Sequence, residues 1–130
     1  MIFDSSAIIA IIANEDEAPA MLKALDLAWP GPFVIAAPTF LETFIVMHGR
    51  KNIGGVEALD KFRRETGLYI ESFHPVLARL AIDAYQRFYR PPARLNFGDC
   101  FSYALAKARN EPLLCKGEDF RNTDIHLVEY

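Results

Sequence analysis

The run Leu95-Asn96-Phe97-Gly98-Asp99-Cys100-Phe101 leads directly into Ser102-Tyr103-Ala104-Leu105-Ala106-Lys107-Ala108. The second half is rich in Ala and Leu and reads as a helix. Gly98 and Asp99 stand where that helix should start. A carboxylate suits this place for an ordinary reason, because first-turn N–H groups lack partners and the helix dipole is positive there. Flanking Phe97 and Phe101 add an expectation that Asp99 lies in a partly dry cleft. A carboxylate so placed needs a cation or donors to stay charged. The reading of the fold therefore turns on whether other acids reach the same spot.

Working outward, the flanking segments alternate between short apolar runs and amphipathic ones. Met1-Ile2-Phe3 is a buried strand that ends at Asp4-Ser5-Ser6, and a helix follows over Ala7 to Ala13. A second helix is expected from Ala18 to Ala28, with Met21, Leu22, Leu25 and Leu27 inward, stopped by Pro30-Gly31-Pro32. Phe33 to Ala36 is a second buried strand. Thr39 opens a helix from Phe40 to His48, whose one acid is Glu42. Val56 to Thr66 is helical and closed by Gly67. Tyr69 to Phe73 is a third strand, and Val76 to Tyr89 a long helix. After the Asp99 helix come two more strands, Leu113 to Cys115 and Ile125 to Val128, with Lys116-Gly117-Glu118-Asp119-Phe120 directly behind the first.

Strands separated by helices imply right-handed crossovers and a mostly parallel sheet of four to five strands, flanked by helices. The fold class is α/β. In such sheets ligands gather at the carboxyl ends of the strands. Asp4 and Asp119 each follow a strand. Glu42 lies in the early part of a helix after a strand, and Asp99 at a helix start. Each has a plain explanation as a cap or a solvated acid, yet all four can converge on one sheet edge. Four carboxylates sharing one pocket raise each other's pKa unless cations are present. Oxygen ligands without a His or Cys cluster favour a hard ion, Mg²⁺ or Mn²⁺.

Totals narrow the class. The 130 residues fit one domain, 1–130, and 52% of them are hydrophobic, enough for a two-sided core. The longest apolar run falls short of the roughly 18–20 residues of a membrane span, and Met1-Ile2-Phe3-Asp4 lacks a basic signal-peptide start. Cys100 and Cys115 make neither a disulfide framework nor a zinc pattern, so a reducing cytoplasm is the expected location. His74 before Pro75 reads as a turn residue. A net charge of −3 does not advertise a nucleic-acid binder. Locally, however, Tyr85-Gln86-Arg87-Phe88-Tyr89-Arg90-Pro91-Pro92-Ala93-Arg94 interleaves aromatics with Arg87, Arg90 and Arg94, a pattern suited to phosphates and unstacked bases. The Pro pair is expected to extend the chain.

Taken together, Phe3-Asp4-Ser5-Ser6-Ala7, Thr39-Phe40-Leu41-Glu42, Leu95-Asn96-Phe97-Gly98-Asp99-Cys100 and Leu113-Leu114-Cys115-Lys116-Gly117-Glu118-Asp119-Phe120 with Thr123-Asp124-Ile125 resemble the PIN-domain family. Within it the chain resembles the VapC-type ribonuclease toxins of bacterial toxin–antitoxin pairs. The resemblance spans the chain. It implies a Mg²⁺- or Mn²⁺-dependent endoribonuclease that hydrolyses RNA with a metal-activated water. It also implies a homodimeric toxin restrained by a small VapB-type antitoxin. Carried over, Asp4 and Asp99 are the main metal ligands, and Glu42 and Asp119 complete the catalytic acids. Ser6 is a hydrogen-bonding helper, with Thr123 and Asp124 as further candidates, and Arg87, Arg90 and Arg94 would hold RNA. Two other readings stand beside this one. One is a non-catalytic PIN-like binding module. The other is a phosphoacceptor receiver domain, which needs a Lys after its last strand.

Overall fold

A computed structural model describes residues 1–26 and 30–130. Four short strands, β1 (Ile2–Phe3), β2 (Val34–Ala36), β3 (Tyr69–Glu71) and β4 (Leu113–Leu114), form one sheet in the order β3-β2-β1-β4. All three pairings are parallel, with Ile2 opposite both Val34 and Leu113. Among the described residues six helices connect them: α1 (Ser5–Ile12), α2 (Ala18–Asp26), α3 (Ala37–Gly49), α4 (Gly55–Thr66), α5 (Pro75–Phe88) and α6 (Phe97–Arg109). Of the second expected helix, Leu27 and Ala28 lie outside the described residues, and Leu22 is exposed rather than inward.

β1, β2 and β4 are buried on both faces, so their side chains sort by alternation, whereas the edge strand β3 is partly exposed. Ile2, Val34, Ala36, Leu113 and Cys115 pack with Leu77 and Ala84 of α5 and with Tyr103 and Leu105 of α6. Phe3, Ile35 and Leu114 face the other way, against Ala7 and Ile8 of α1, Met21 of α2, Met47 of α3 and Leu59 and Phe62 of α4. The sheet is therefore a thin apolar layer between two helical layers. At its amino end the Met1 amine meets Glu111 Oε2 at 2.6 Å, and Arg109 Nε donates to Glu111 Oε1 at 3.0 Å. The acids at that end are neutralised in place.

Two expectations change. Ile125 to Val128 forms no strand. A single parallel bridge joins Leu127 to Leu113, with Leu113 N donating to His126 O and Val128 N to Leu113 O, both at 2.9 Å. With β4 itself only two residues long, the register has no room for a longer ladder. The Pro91-Pro92 link turns instead of extending, through a cis peptide, and Arg94 takes a positive φ of 62° as the chain enters α6.

Candidate metal and nuclease site

β1 delivers Asp4 directly. Its backbone is extended and its N–H donates to Leu114 O at 2.9 Å, so the sheet continues to its own α carbon. Asp4 is also the N-cap of α1, with Oδ2 accepting from Ser6 N at 3.0 Å and from Ser6 Oγ. Ser6 Oγ in turn accepts from Lys116 N at 2.9 Å, which ties the end of β1 to the chain leaving β4. The other oxygen, Asp4 Oδ1, accepts from Ser102 Oγ at 2.7 Å. At 5% exposure, Asp4 is a buried carboxylate held entirely by neutral donors.

Asp99 sits in the first turn of α6 within a reciprocal capping box. Asp99 N donates to Asn96 Oδ1 at 3.1 Å, and Asn96 N donates to Asp99 Oδ2 at 2.7 Å. The simple capping reading is thus correct for one of its oxygens. Yet the Asp99 carboxyl is pushed up to about 6. Burial is the main cause and the charges of Asp4, Asp119 and Glu42 add to it, while the bond from Asn96 N works against the rise. A capping aspartate with only helix N–H groups nearby would be lowered instead. Asp99 thus feels the charges of Asp4, Asp119 and Glu42 in addition to its burial.

Glu42 reaches this neighbourhood from α3. A β-carbon at Gly98 would stand 3.0 Å from Glu42 Oε1 and 3.4 Å from Oε2. The missing side chain therefore lets the Glu42 carboxylate rest on the first turn of α6. Asp119 opens a 3-10 turn (Asp119–Asn122) after β4 and is exposed. Thr123 Oγ1 closes that turn by donating to Phe120 O at 2.7 Å, so Thr123 supports the segment that carries Asp119.

Other expected site residues are placed elsewhere. Asp124 accepts from Tyr103 Oη at 2.5 Å, Arg87 Nη2 at 2.9 Å and Lys107 Nζ at 3.0 Å. Burial pushes its carboxyl upward, but these three donors outweigh that and hold it far below the usual range. Arg87 also binds Asp83 Oδ2 at 3.1 Å, so its charge is already matched. Arg90 lies over the Tyr89 ring, 4.9 Å from its centre. Arg94 lines a cavity of about 960 Å³ with Tyr85, Tyr89 and Phe97, which opens beside the carboxylates without including any of them. Phe97 is 79% exposed and does not dry the site. Asp99 itself is half-buried in the first turn of α6.

Two hydroxyls were not legible as site residues. Ser102 and Thr39 are each 1% exposed, and their oxygens lie 3.4 Å apart. The available signal was a lone Ser three residues beyond Asp99 in an otherwise apolar helical stretch.

A hard divalent ion fits this donor set. The donors are carboxylate oxygens, and among the described residues none of the four acids forms an ion pair, whereas Glu15, Glu17, Glu71, Asp83, Glu111 and Asp124 all do. As arranged, no three acids among the described residues stand close enough to grip an ion together. Asp99 Oδ2 is turned back into its cap, which accounts for part of that spacing.

Comparison with known proteins decides the family. A PIN-domain family model matches residues 1–125. Ribonuclease VapC28 of Mycobacterium tuberculosis is 44% identical over 128 residues, covering 96% of this chain and 95% of the relative. The chain belongs to the PIN-domain family of VapC ribonucleases. Solved VapC folds agree. The VapBC2 complex of Rickettsia felis, solved on a promoter DNA fragment, superposes with a TM-score of 0.73 at 18% identity, over 99% of this chain and 98% of that one. VapC20 of M. tuberculosis, described as a sarcin–ricin-loop-cleaving toxin, gives 0.69 at 20% identity over 93% of each. Family membership sets aside the receiver-domain reading. Lys116 does follow β4, but its ammonium binds Glu15 and Glu17, both at 2.9 Å.

Proposed function

We propose that residues 1–130 act as one PIN domain, a divalent-metal-dependent endoribonuclease that serves as the toxin of a VapBC-type pair. One observation carries this reading: among the described residues Asp4, Glu42, Asp99 and Asp119, from four separate segments, form no ion pair, while the charges of the other three add to the rise at Asp99. A purely structural cluster would be expected to carry its own cations, as Asp124 does.

In this reading Asp4 and Asp99 hold Mg²⁺ or Mn²⁺, with Glu42 and Asp119 completing the site. When bound, the ion offsets charge on the phosphodiester and lowers the pKa of a coordinated water. The chain's own residues do the remaining work. Ser6 and Ser102 keep Asp4 aimed, and the Asn96 cap fixes the backbone of Asp99. Glu42 and Asp119, the two exposed acids, would accept the proton released by the hydrolytic water. Arg90 and Arg94, which form no ion pair among the described residues, hold the RNA backbone beside the site. Arg87 is spent on Asp83 and Asp124 and contributes to stability instead.

Incubating the purified protein with total RNA and Mn²⁺, then mapping new 5′ ends, tests the activity. Discrete new ends that vanish with chelator are expected, and intact RNA at all metal concentrations would favour a non-catalytic PIN module. Relatives named as VapC and a solved VapBC complex support a VapB-type antitoxin as partner; a homodimeric toxin working in the cytoplasm belongs to the same proposal. Among the described residues no helix is long and apolar enough to cross a membrane. Co-expression with the product of the adjacent reading frame, followed by co-purification, checks the partner.

A further inference from the structure

We propose that Ser102, backed by Thr39, is a positioning residue that sets the spacing of the metal-binding carboxylates. This inference rests on the metal reading given above. The relevant contacts form a continuous chain: Thr39 Oγ1 to Ser102 Oγ, Ser102 Oγ to Asp4 Oδ1, Asp4 Oδ2 to Ser6 Oγ, and Ser6 Oγ to Lys116 N. Each link stands on a segment that carries an acid. Thr39 lies three residues before Glu42 on α3. Ser102 lies three residues after Asp99 on α6. Ser6 lies in the first turn of the helix that Asp4 caps, and Lys116 lies three residues before Asp119. One polar brace therefore registers all four acid-bearing segments.

The proton directions follow from chemistry. An ionised carboxylate only accepts, so Ser102 donates to Asp4 and offers its own lone pair to Thr39, which donates. Thr39 is fixed behind it, because its carbonyl accepts from Thr43 Oγ1 at 2.8 Å. Asp4 Oδ2 already takes two donors, Ser6 N and Ser6 Oγ, while Oδ1 takes one. Lone-pair capacity for a cation is thus left on Oδ1, the oxygen that Ser102 orients. With Ser102 at 1% exposure, water has little access to replace the lost donor.

Removing such an outer partner typically weakens metal binding about 10- to 100-fold. The experiment is calorimetric titration of the metal-free full-length protein with MnCl₂, alongside its melting temperature. Ser102→Ala should bind Mn²⁺ about 10- to 100-fold more weakly. Tyr103→Phe, the neighbouring position on the same helix, should lower the melting temperature while leaving Mn²⁺ affinity at the wild-type value. Thr39→Val removes the outer hydroxyl and should cost a smaller factor, about threefold, because its 3.4 Å contact is at the limit for a hydrogen bond. It also serves as the readout if Ser102→Ala fails to fold. Wild-type Mn²⁺ affinity in Ser102→Ala, or in Thr39→Val where only that variant folds, overturns the proposal alone. So does an equal loss of affinity in Tyr103→Phe, since affinity would then merely follow stability. A wild-type protein that takes up no Mn²⁺ overturns the metal reading and this inference with it.

Discussion

Helix α6 presents two carboxylate clusters that have opposite fates. Near its start, Asp99 feels the charges of Asp4, Glu42 and Asp119, and among the described residues none of the four pairs with a basic side chain. Nearer its end, Tyr103 and Lys107 join Arg87 around the single carboxylate of Asp124. The first cluster has an excess of negative charge, and its half-buried Asp99 is pushed up to about 6. The second is matched donor for charge, and its acid is held low. One helix therefore carries both a locking contact and a site where charge is left uncompensated. Folding alone explains the former, and the latter is where binding is to be sought.

The sharpest way to break this contrast is to exchange charge for amide at the frustrated end. Asp99→Asn retains an acceptor for Asn96 N and relieves repulsion. RNA cleavage in Mn²⁺ should fall by about 10³-fold or more, while the melting temperature in chelator holds or rises. A variant that melts earlier yet cuts normally would reduce Asp99 to a cap.

Next comes pH, where the two clusters have opposite signs. For Asp99 the folded value, about 6, lies above the ordinary 3.8. Between those values the native state holds the extra proton, so stability in chelator should decline as pH rises from about 4 to about 6, by roughly 2 kcal/mol once the full value of about 3 is discounted for solvent screening. Asp99→Asn should flatten that slope. Asp124, held low, contributes stability above the ordinary aspartate value that is lost as the solution is made more acidic. Chemical denaturation across pH 3–7 would show both limbs.

A smaller effect is expected from Asp124→Ala, about 1 kcal/mol of stability, since the cluster is partly exposed. Its cleavage rate should match wild type, which an active-site role for Asp124 would contradict. Smallest is the contrast among arginines. Arg90→Gln and Arg94→Gln should each weaken RNA binding about two- to fivefold and shallow its salt dependence, whereas Arg87→Gln should lower the melting temperature and leave RNA affinity unchanged.

Much of the architecture was readable because the physics is local. Short buried apolar runs, Gly67 at a helix end and the helix start at Gly98 and Asp99 each place an element with no knowledge of its partners. The acids at the strand ends follow once the sheet is parallel. What could not be read was pairing across distance. Asp124 and Arg87 stand 37 positions apart and Ser102 and Asp4 98 apart, so whether an acid meets an arginine or another acid is settled only by packing. The fifth strand failed for a similar reason. Ile125 to Val128 has strand-like residues, but a two-residue β4 offers it a single bridge.

That bridge matters for how the molecule meets others. The outer rim of β4 is shielded by two amide bonds around Leu113 and by Tyr130 Oη reaching Cys115 O at 3.1 Å. Residues 125–130 work as a narrow zipper over an otherwise open row of backbone groups. Shortening the chain at this terminus would uncover a template onto which a foreign strand could add, and would expose a thiol that burial keeps protonated and inert. Purification tags are better separated from Tyr130 by a spacer than fused against it.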